Sequence, residues 1–387
     1  MPAATRNSAG RARNGRLAAA TVLVVMLAGV LLWATACGSS ATTTTQVTTP
    51  TTTAGSTSTS ATTGASGSTS TAGSFESTTA AGAPKLAKLT LVAPPGPMAI
   101  PLAYMAFNDK LAGVADKTEL VIWENADQLK AMVAGKQGDF VTMPSNNAAI
   151  FYNKGLKLQL LDISVWNITY LVTRDPKAAG FADIKGQSLV VPFEGSVPDV
   201  MFQYIVKKQG LDPEKDFKLR YATDPTQAAQ LLIAGQADNA VLSEALSTAV
   251  VLQTRTAAKP LRKALAFDAA WEQAAGSTEQ PPIAGTCATA SVMDRPDVIA
   301  AFEREYQAAV EWMLANPEAA GQLVETKLPQ LGLKAAAMTA SLKSITWQYT
   351  PAAEARPRLE AFYTALSELS PQVIGGKLPD DGFYYKP

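Results

Sequence analysis

The segment LLIAGQADNAVLSEALSTA, residues 231–249, has a close counterpart in AMVAGKQGDFVTMPSNNAA, residues 131–149. Each joins the apolar end of a helix to Ala-Gly, then to small or polar residues, an Asp, a short apolar run and a polar turn. Glycine is common just past a helix end, and a short apolar run is typical of a buried strand. The repeat therefore predicts one helix–glycine–strand unit of the same design in each of two related lobes.

Strands and helices alternate around both copies of the repeat. In the first half the predicted strands KLTLVAPP, ELVIW and DFVTM alternate with the helices AIPLAYMAF and ADQLKAMVAG. In the second half SLVVP, FKLRYA and NAVLS alternate with helices in EGSVPDVMFQYIVKKQG and TQAAQLLIAG. Such alternation is typical of α/β domains. The predicted fold is α/β with two lobes, each a mainly parallel sheet flanked by helices.

Two crossovers of the chain are predicted to join the lobes. The segment PPIAGTCATASV looks like a strand that re-enters the first lobe, and a mostly helical tail follows it. Crossovers near residues 173–180 and 282–289 would form a hinge. On this prediction residues 84–175 and 286–387 form lobe I, and residues 176–285 form lobe II.

The N-terminus has the features of an export signal. Four arginines within the first 16 residues precede the uncharged segment LAAATVLVVMLAGVLLW, and ATAC then ends at Cys37. Small residues before a cysteine resemble a bacterial lipoprotein cleavage box, although Ala34 stands where Leu is most typical. Residues 1–36 are therefore predicted to be a lipoprotein signal peptide, with Cys37 lipidated, as by palmitate. The alternative is an uncleaved membrane anchor, although the apolar segment is near the minimum length of a membrane-spanning helix.

The next segment, residues 37–83, is predicted to be a disordered stalk. It consists almost wholly of Thr, Ser, Ala and Gly. Such a composition cannot bury enough apolar area to offset the entropy of the chain. With either interpretation of the N-terminus, the globular part lies at the extracytoplasmic face of the bacterial cell membrane.

The composition excludes several classes of function. Basic and acidic residues balance at 33 each, and no basic stripe suits a nucleic acid. The chain has no histidine, which excludes Ser-His and Cys-His nucleophile pairs and zinc sites built on imidazole. The two cysteines, Cys37 and Cys287, have different predicted fates, so no disulfide is expected between them. No metal or cofactor is implied, and we expect a monomer.

Several segments resemble a known family. They are DIKGQSLVVPFEGSVPDVMFQYIVKKQGLDPEKDFKLRY, GDFVTMPSNNAAIFYNKGLKLQLL, GQADNAVLSEALSTA and FEREYQAAVEWMLANPEAA. They resemble extracytoplasmic solute-binding proteins of ABC importers, in the branch of nitrate-, sulfonate-, taurine- and thiamine-precursor-binding proteins. The chain departs from that branch at Glu244-Ala245, where members often have Glu-Pro.

This resemblance implies a two-lobed periplasmic-binding fold of the second type. Such a protein captures a small polar solute between its lobes and delivers it to ABC permease subunits in the membrane. The solute classes that the resemblance implies are sulfonates, nitrate, taurine and pyrimidine precursors.

Two other functions stay open beside solute transport. Paired carboxylates could support acid–base catalysis on the same fold. One relative makes a thiamine precursor by consuming its own active-site histidine, and this chain has no histidine. Other relatives process menaquinone precursors in the cytoplasm, whereas this chain has a predicted export signal. The chain is therefore predicted not to be an enzyme. A sensor that presents its ligand-bound form to a membrane receptor is not separated from transport by the sequence.

Ligands of open α/β sheets lie off the carboxyl ends of the strands, so the turns at those ends are the candidate site. We add Trp123 and Trp166 to the candidate site, because each follows or interrupts an apolar run and could stack on a flat ligand. The alternative is that they are part of the core. The predicted ligand-binding residues are Gly96, Pro97, Met98, Trp123, Ser145, Asn146, Asn147, Trp166, Glu194, Gly195, Ser196, Val197 and Glu244.

These turns combine different chemistries. Ser145 opens a helix, whose free N–H groups and dipole favour an anion. Gly195 lets the backbone approach a ligand, and Ser196 can bond to one. Both serines could instead be helix caps. If Glu194 and Glu244 face the cleft, they would repel an anion and favour a zwitterionic, amino-bearing or neutral ligand; otherwise they are exposed loop charges.

Overall fold

The computed structural model describes residues 83–387. The predicted signal peptide, Cys37 and all but the last residue of the predicted stalk lie outside the described residues. Within the described range, no helix combines the length and hydrophobicity that a membrane span requires.

The described chain alternates strands and helices, as the sequence predicts. The strands are β1 Leu89–Ala93, β2 Thr118–Ile122, β3 Phe140–Pro144, β4 Leu158–Leu160, β5 Asp162–Asn167, β6 Thr169–Thr173, β7 Ser188–Pro192, β8 Lys218–Ala222, β9 Asn239–Ser243, β10 Arg262–Ala266, β11 Ala284–Thr289 and β12 Thr346–Pro351. The α-helices are α1 Ile100–Phe107, α2 Ala126–Ala134, α3 Ser145–Asn153, α4 Val197–Lys208, α5 Pro225–Ile233, α6 Leu246–Thr254, α7 Phe267–Ala275, α8 Pro296–Ala315, α9 Pro317–Lys327, α10 Ala335–Leu342 and α11 Ala352–Ser367.

The strands form two sheets, one in each lobe. Lobe I contains the order β12-β5-β11-β3-β1-β2, with β4 paired to β11, and lobe II contains β10-β6-β9-β7-β8. In each lobe three neighbouring strands are parallel, with β1 and β7 at their centres. The other pairs are antiparallel. Both sheets are therefore mixed, and their parallel part is smaller than the sequence predicts.

The sequence repeat is confirmed as two equivalent structural units. Residues 131–149 run from α2 through β3 into α3, and residues 231–249 run from α5 through β9 into α6. In both units the repeated strand pairs in parallel with the central strand of its lobe, through Leu91 with Phe140 in lobe I. The pair at the equivalent position of the repeat in lobe II is Val190 with Ala240.

The first crossover lies earlier than the sequence predicts. Strand β6 pairs with β9 and β10 in lobe II, whereas the predicted boundary assigned residues up to 175 to lobe I. Only Ile168 separates β5 from β6, and residues 162–173 are all buried. Because both strands lie inside a sheet, hydrophobicity does not change where the chain crosses. The second crossover precedes β11, which lies wholly in the sheet of lobe I.

Helix α8 covers one face of the sheet of lobe I. Its apolar stripe, which includes Phe302, Tyr306 and Met313, is buried. The Phe302 ring stacks on Phe140 of β3 with centroids 3.8 Å apart. The stripe is thus part of the core, as its helical spacing predicts.

Strands β5 and β11 approach each other closely at Gly285. A Cβ atom at this position would lie 1.8 Å from the carbonyl oxygen of Asp162. The obstacle is backbone in the middle of a sheet, so it cannot move without separating strands. Only glycine fits there.

We predict that Gly285→Ala lowers the free energy of unfolding by more than about 3 kcal/mol, because the added methyl group forces the two strands apart. Chemical denaturation measures this change. Gly113→Ala is the matched control, since a Cβ at Gly113 would meet no atom within 4 Å. Equal effects of the two substitutions would show that the close approach does not constrain the sheet.

The carboxyl group of Asp162 is fully buried. Burial, the largest cause, raises the pKa of Asp162 well above its ordinary value of 3.8, and the neighbouring charge of Glu303 adds to the shift, which Ser164 and Thr286 oppose only in part. The folded protein therefore holds this proton over a pH range in which the unfolded chain releases it.

A group with a raised pKa stabilises the fold below the pKa of the unfolded chain, and this contribution is lost as the pH rises. We therefore predict that the free energy of unfolding falls more steeply above pH 3.8 in the wild type than in Asp162→Asn. The difference in slope approaches about 1.4 kcal/mol per pH unit for one proton.

Urea denaturation between pH 4 and pH 8 measures this difference in slope. Asp109→Asn, at an exposed carboxyl group, is the control and is expected to follow the wild type. Parallel pH profiles for the wild type and Asp162→Asn would contradict the prediction.

Candidate functional site

The carboxyl ends of the parallel strands of the two lobes confront each other. A Cβ atom on Gly96, in the turn after β1, would lie 3.7 Å from the carbonyl oxygen of Glu244, in the turn after β9. The next residue, Ala245, is buried in an apolar cluster with Ile100 and Phe302 of lobe I. The strand ends where α/β sheets bind ligands therefore meet at the interface of the lobes.

Helices α3, α4 and α6 begin at the ends of the parallel strands β3, β7 and β9, and α4 and α6 each have a carboxylate at the N-terminus. At α4, Ser196 accepts from the backbone N–H of Asp199, whose carboxylate accepts from the N–H of Gly195 (2.8 Å). At α6, the carboxylate of Glu244 accepts from the N–H of Thr248 (3.3 Å). These carboxylates offset the positive ends of both helix dipoles.

Helix α3 differs, since it has neither an acidic residue in its first turn nor a side-chain cap. Ser145 is buried, and its hydroxyl donates to the carbonyl oxygen of Pro282 (2.6 Å). Asn146 is 1% exposed, its amide nitrogen donates to Val373 (3.3 Å), and its Oδ1 has no partner. Asn147 is half-buried. Helix α3 thus lacks the carboxylate that compensates the dipole at α4 and α6; the shorter helix α1 of lobe I also has no acidic residue in its first turn.

Glu244 belongs to a polar cluster that bridges the lobes. Its side chain is fully buried and forms an ion pair with Lys263 of β10. The Lys263 ammonium also donates to Thr248 (2.7 Å) and to the hydroxyl of Ser344 in lobe I (2.9 Å), and lies 4.6 Å from the centroid of the Tyr170 ring. The charge of Glu244 is therefore compensated, and it does not add a free negative charge to the cleft.

The turn after β7 is held by one buried carboxylate. The Asp199 carboxylate accepts from the N–H of Gly195, as described above. It also accepts from the side chain of Gln203 (3.1 Å) and from the hydroxyl of Tyr221 (3.1 Å). Glu194 is exposed in this turn and contributes to the wall of a cavity of ≈ 440 Å³ between α4 and β8. An exposed carboxylate is thus fixed at the strand end of lobe II.

The two predicted tryptophans lie in different surroundings. Trp166 has no exposed surface, its indole N–H donates to Gln348 (2.9 Å), and the guanidinium of Arg358 lies 4.1 Å from its ring. Trp123 is half-buried at the end of β2, and its indole N–H donates to the carbonyl oxygen of Thr142 (3.2 Å). Trp123 is thus oriented by the strand that leads into α3.

The predicted site residues differ in accessibility. The exposed ones are Glu194 and Gly195; the half-buried ones are Met98, Trp123, Asn147 and Ser196; the buried ones are Gly96, Pro97, Ser145, Asn146, Trp166, Val197 and Glu244. The sequence analysis did not include Lys263 and Ser344, which complete the polar cluster around Glu244. Nothing in the sequence around Lys263, in the short strand RKALA, or around Ser344, before β12, indicates a contact with the cluster of Glu244. In the part of the chain that the structure describes, no group of three or more Cys, Asp or Glu side chains is arranged to hold a metal ion.

We predict that Lys263→Met lowers the free energy of unfolding by about 3 kcal/mol, because it leaves Glu244 buried without its partner. The double variant Glu244→Gln/Lys263→Met is expected to recover at least half of this loss, since no unpaired charge remains. Chemical denaturation of these two variants, of Glu244→Gln and of the wild type completes the double-mutant cycle.

Lys185→Met is the control for this cycle. It breaks an ion pair with Asp216 in which the lysine side chain is 59% exposed, so a loss of under about 1 kcal/mol is expected. A double variant that is as unstable as Lys263→Met would show that the burial of Glu244 without its partner is not the cause.

Two lobes of the same plan, joined by two crossovers and meeting at their strand ends, define a type II periplasmic-binding fold. Solved structures share this fold. An ABC transporter from Parabacteroides distasonis is 23% identical and covers 78% of this chain and 99% of its own, with a TM-score of 0.63. The chain belongs to the NMT1/THI5-like family, whose model matches residues 117–320.

Two further solved structures with this fold have named ligands. The periplasmic aliphatic sulphonate binding protein SsuA from Escherichia coli is 15% identical over 78% of this chain and 92% of its own, with a TM-score of 0.61. The alkanesulfonate-binding protein SsuA from Xanthomonas axonopodis, bound to MOPS, is 16% identical over 77% and 96%, with a TM-score of 0.58. No curated protein has a significant sequence match to the chain.

Proposed function

We propose that the protein is the extracytoplasmic solute-binding component of an ABC importer. It captures a small polar solute between its lobes and delivers it to the permease subunits in the membrane. The family and the fold support this role, and the ligands named for the two SsuA structures support a sulfonate as the solute class. The ligand stabilises the closed arrangement of the lobes, which the permease distinguishes from the open one.

The observation that carries the proposal is the N-terminus of α3. It lies at the strand ends of lobe I and has no acidic residue in its first turn. A sulfonate or similar anionic group binds there, to free backbone N–H groups and to the side chain of the half-buried Asn147. The pairing of Glu244 with Lys263 removes the repulsion that a free carboxylate would exert on this anion.

The exposed carboxylate of Glu194 adds a second preference. It belongs to the turn of lobe II that begins α4. A solute of the taurine type has both a sulfonate and an amino group. Its sulfonate would bind at the N-terminus of α3, and its amino group would bind near Glu194. A neutral pyrimidine precursor would leave the positive end of α3 uncompensated, so the charges favour the sulfonate classes.

The protein acts by binding, without a chemical step. A family relative that makes a thiamine precursor consumes its own histidine, and this chain has no histidine. We further propose that residues 1–36 are removed as a signal peptide, that Cys37 is lipidated, and that residues 37–83 tether a monomeric binding domain to the extracytoplasmic face of the membrane. Such a tether keeps the domain within reach of a permease in the same membrane.

We predict that Asn147→Asp weakens sulfonate binding at least tenfold without lowering stability. An acidic residue in the first turn stabilises a helix by about 0.3–1 kcal/mol, yet it repels an anion at the same N-terminus. Calorimetric titration with methanesulfonate and taurine, together with the thermal midpoint of the free protein, separates the two effects.

Gln322→Glu is the control, because it adds the same charge at an exposed position of α9. It is expected to leave binding unchanged. Sulfonate binding by Asn147→Asp with the wild-type affinity would exclude the N-terminus of α3 as the anion site.

A further inference from the structure

Phe193 is an exposed aromatic residue with a strained backbone. It directly follows β7, the central parallel strand of lobe II, and is 39% exposed. Its φ is +53°, in the left-handed region that bulky residues rarely adopt. Neither an exposed phenyl ring nor this backbone conformation favours folding, so neither core packing nor turn geometry accounts for Phe at this position.

The conformation of Phe193 is fixed on both sides. Its N–H donates to the carbonyl oxygen of Ala222 at the end of β8 (3.0 Å), and its own carbonyl oxygen accepts from the N–H of Ser196 (3.0 Å). The buried carboxylate of Asp199 holds the N–H of Gly195 in the same turn. The ring is therefore presented by rigid backbone, and backbone strain of this kind tends to occur at ligand sites.

The repeat indicates which edge of lobe II this turn belongs to. The two lobes share the same order of parallel strands, so β1, β2 and β3 correspond to β7, β8 and β9. The turn after β9 approaches lobe I, where Glu244 lies near Gly96. The turn after β7, with Phe193, lies at the same carboxyl edge of the parallel strands, which is the edge of lobe II that meets lobe I.

We propose that Phe193 is a specificity-determining residue that packs on the apolar part of the ligand while the anionic group lies at the N-terminus of α3. The ligand class is then an organic anion with an alkyl or aromatic body, in preference to a small inorganic anion such as nitrate. Trp123, half-buried after β2 and oriented by Thr142, supplies apolar surface at the strand ends of lobe I. The inference rests on the proposed function and narrows its substrate class.

The test is calorimetric titration of the purified protein with methanesulfonate, butanesulfonate and octanesulfonate. Burial of a methylene group strengthens binding by up to about fourfold, so the wild type is expected to bind octanesulfonate at least tenfold more tightly than methanesulfonate. Phe193→Ala is expected to bind methanesulfonate as the wild type does and to lose at least tenfold for octanesulfonate. Phe193→Leu keeps most of the preference for long chains, since it keeps apolar area.

The matched control is Phe107→Ala. Phe107 is also an exposed phenylalanine (44%), but it lies at the end of α1, which begins at the strand ends and runs away from them. It is expected to retain the wild-type preference for long chains. The thermal midpoint of Phe193→Ala is expected to equal that of the wild type, which separates lost contact from lost folding.

Two failures are distinguishable. If Phe193→Ala and the wild type bind octanesulfonate equally, or if the wild type shows no preference for long chains, the inference about Phe193 is wrong and the proposed solute-binding function stands. If the wild type binds none of the three sulfonates, the proposed sulfonate-binding function fails, and the inference about Phe193 fails with it.

Discussion

The structure depends on the direction of three parallel strands in each lobe. Parallel strands end at the same edge of a sheet, and the helix after each strand returns along its face, so the turns between them gather at that edge. Both sheets are built this way, and their edges meet where Gly96 approaches Glu244. One chain therefore assembles a single cleft from two copies of the same unit.

The two copies share a backbone plan but differ in charge. In lobe II the helices α4 and α6 have carboxylates of their own chain at their N-termini, from Asp199 and Glu244. In lobe I the N-terminus of α3 has none. In the proposed complex, the fold sets where the ligand lies, and this difference in charge directs its anionic end to lobe I. The Lys263 cluster, which reaches Ser344 across the lobes, allows a buried carboxylate at the interface without a free negative charge.

Much of the fold could be predicted from the sequence, because each element has a local cause. The glycine after α5 and the apolar run of β9 are visible in residues 231–249, and so is their likeness to residues 131–149. The crossover at Ile168 was not predictable in this way, since β5 and β6 are buried equally and no polar residue marks the change of sheet.

The site was less predictable than the fold. The turns were predicted because sheets bind ligands at strand ends. The partners of their side chains depend on tertiary structure, which the sequence does not show. From the sequence, Ser145 could bind a ligand or cap a helix. In the structure its hydroxyl donates a hydrogen bond to the carbonyl oxygen of Pro282. Lys263 and Ser344 are far apart in the sequence, so their contact could not be predicted. The positive φ of Phe193 could not be predicted either, because phenylalanine rarely adopts it.

The central claim is that a ligand joins two lobes whose strand ends face each other. Spin labels at Lys130 of α2 and Gln230 of α5, equivalent exposed positions of the repeat, report the separation of the lobes by pulsed electron resonance in a Cys37→Ser background. Cys287 is buried and does not compete for the label. With saturating octanesulfonate, the distance between the labels should shorten and its distribution should narrow. An unchanged distribution at a concentration where calorimetry shows saturated binding would contradict the account.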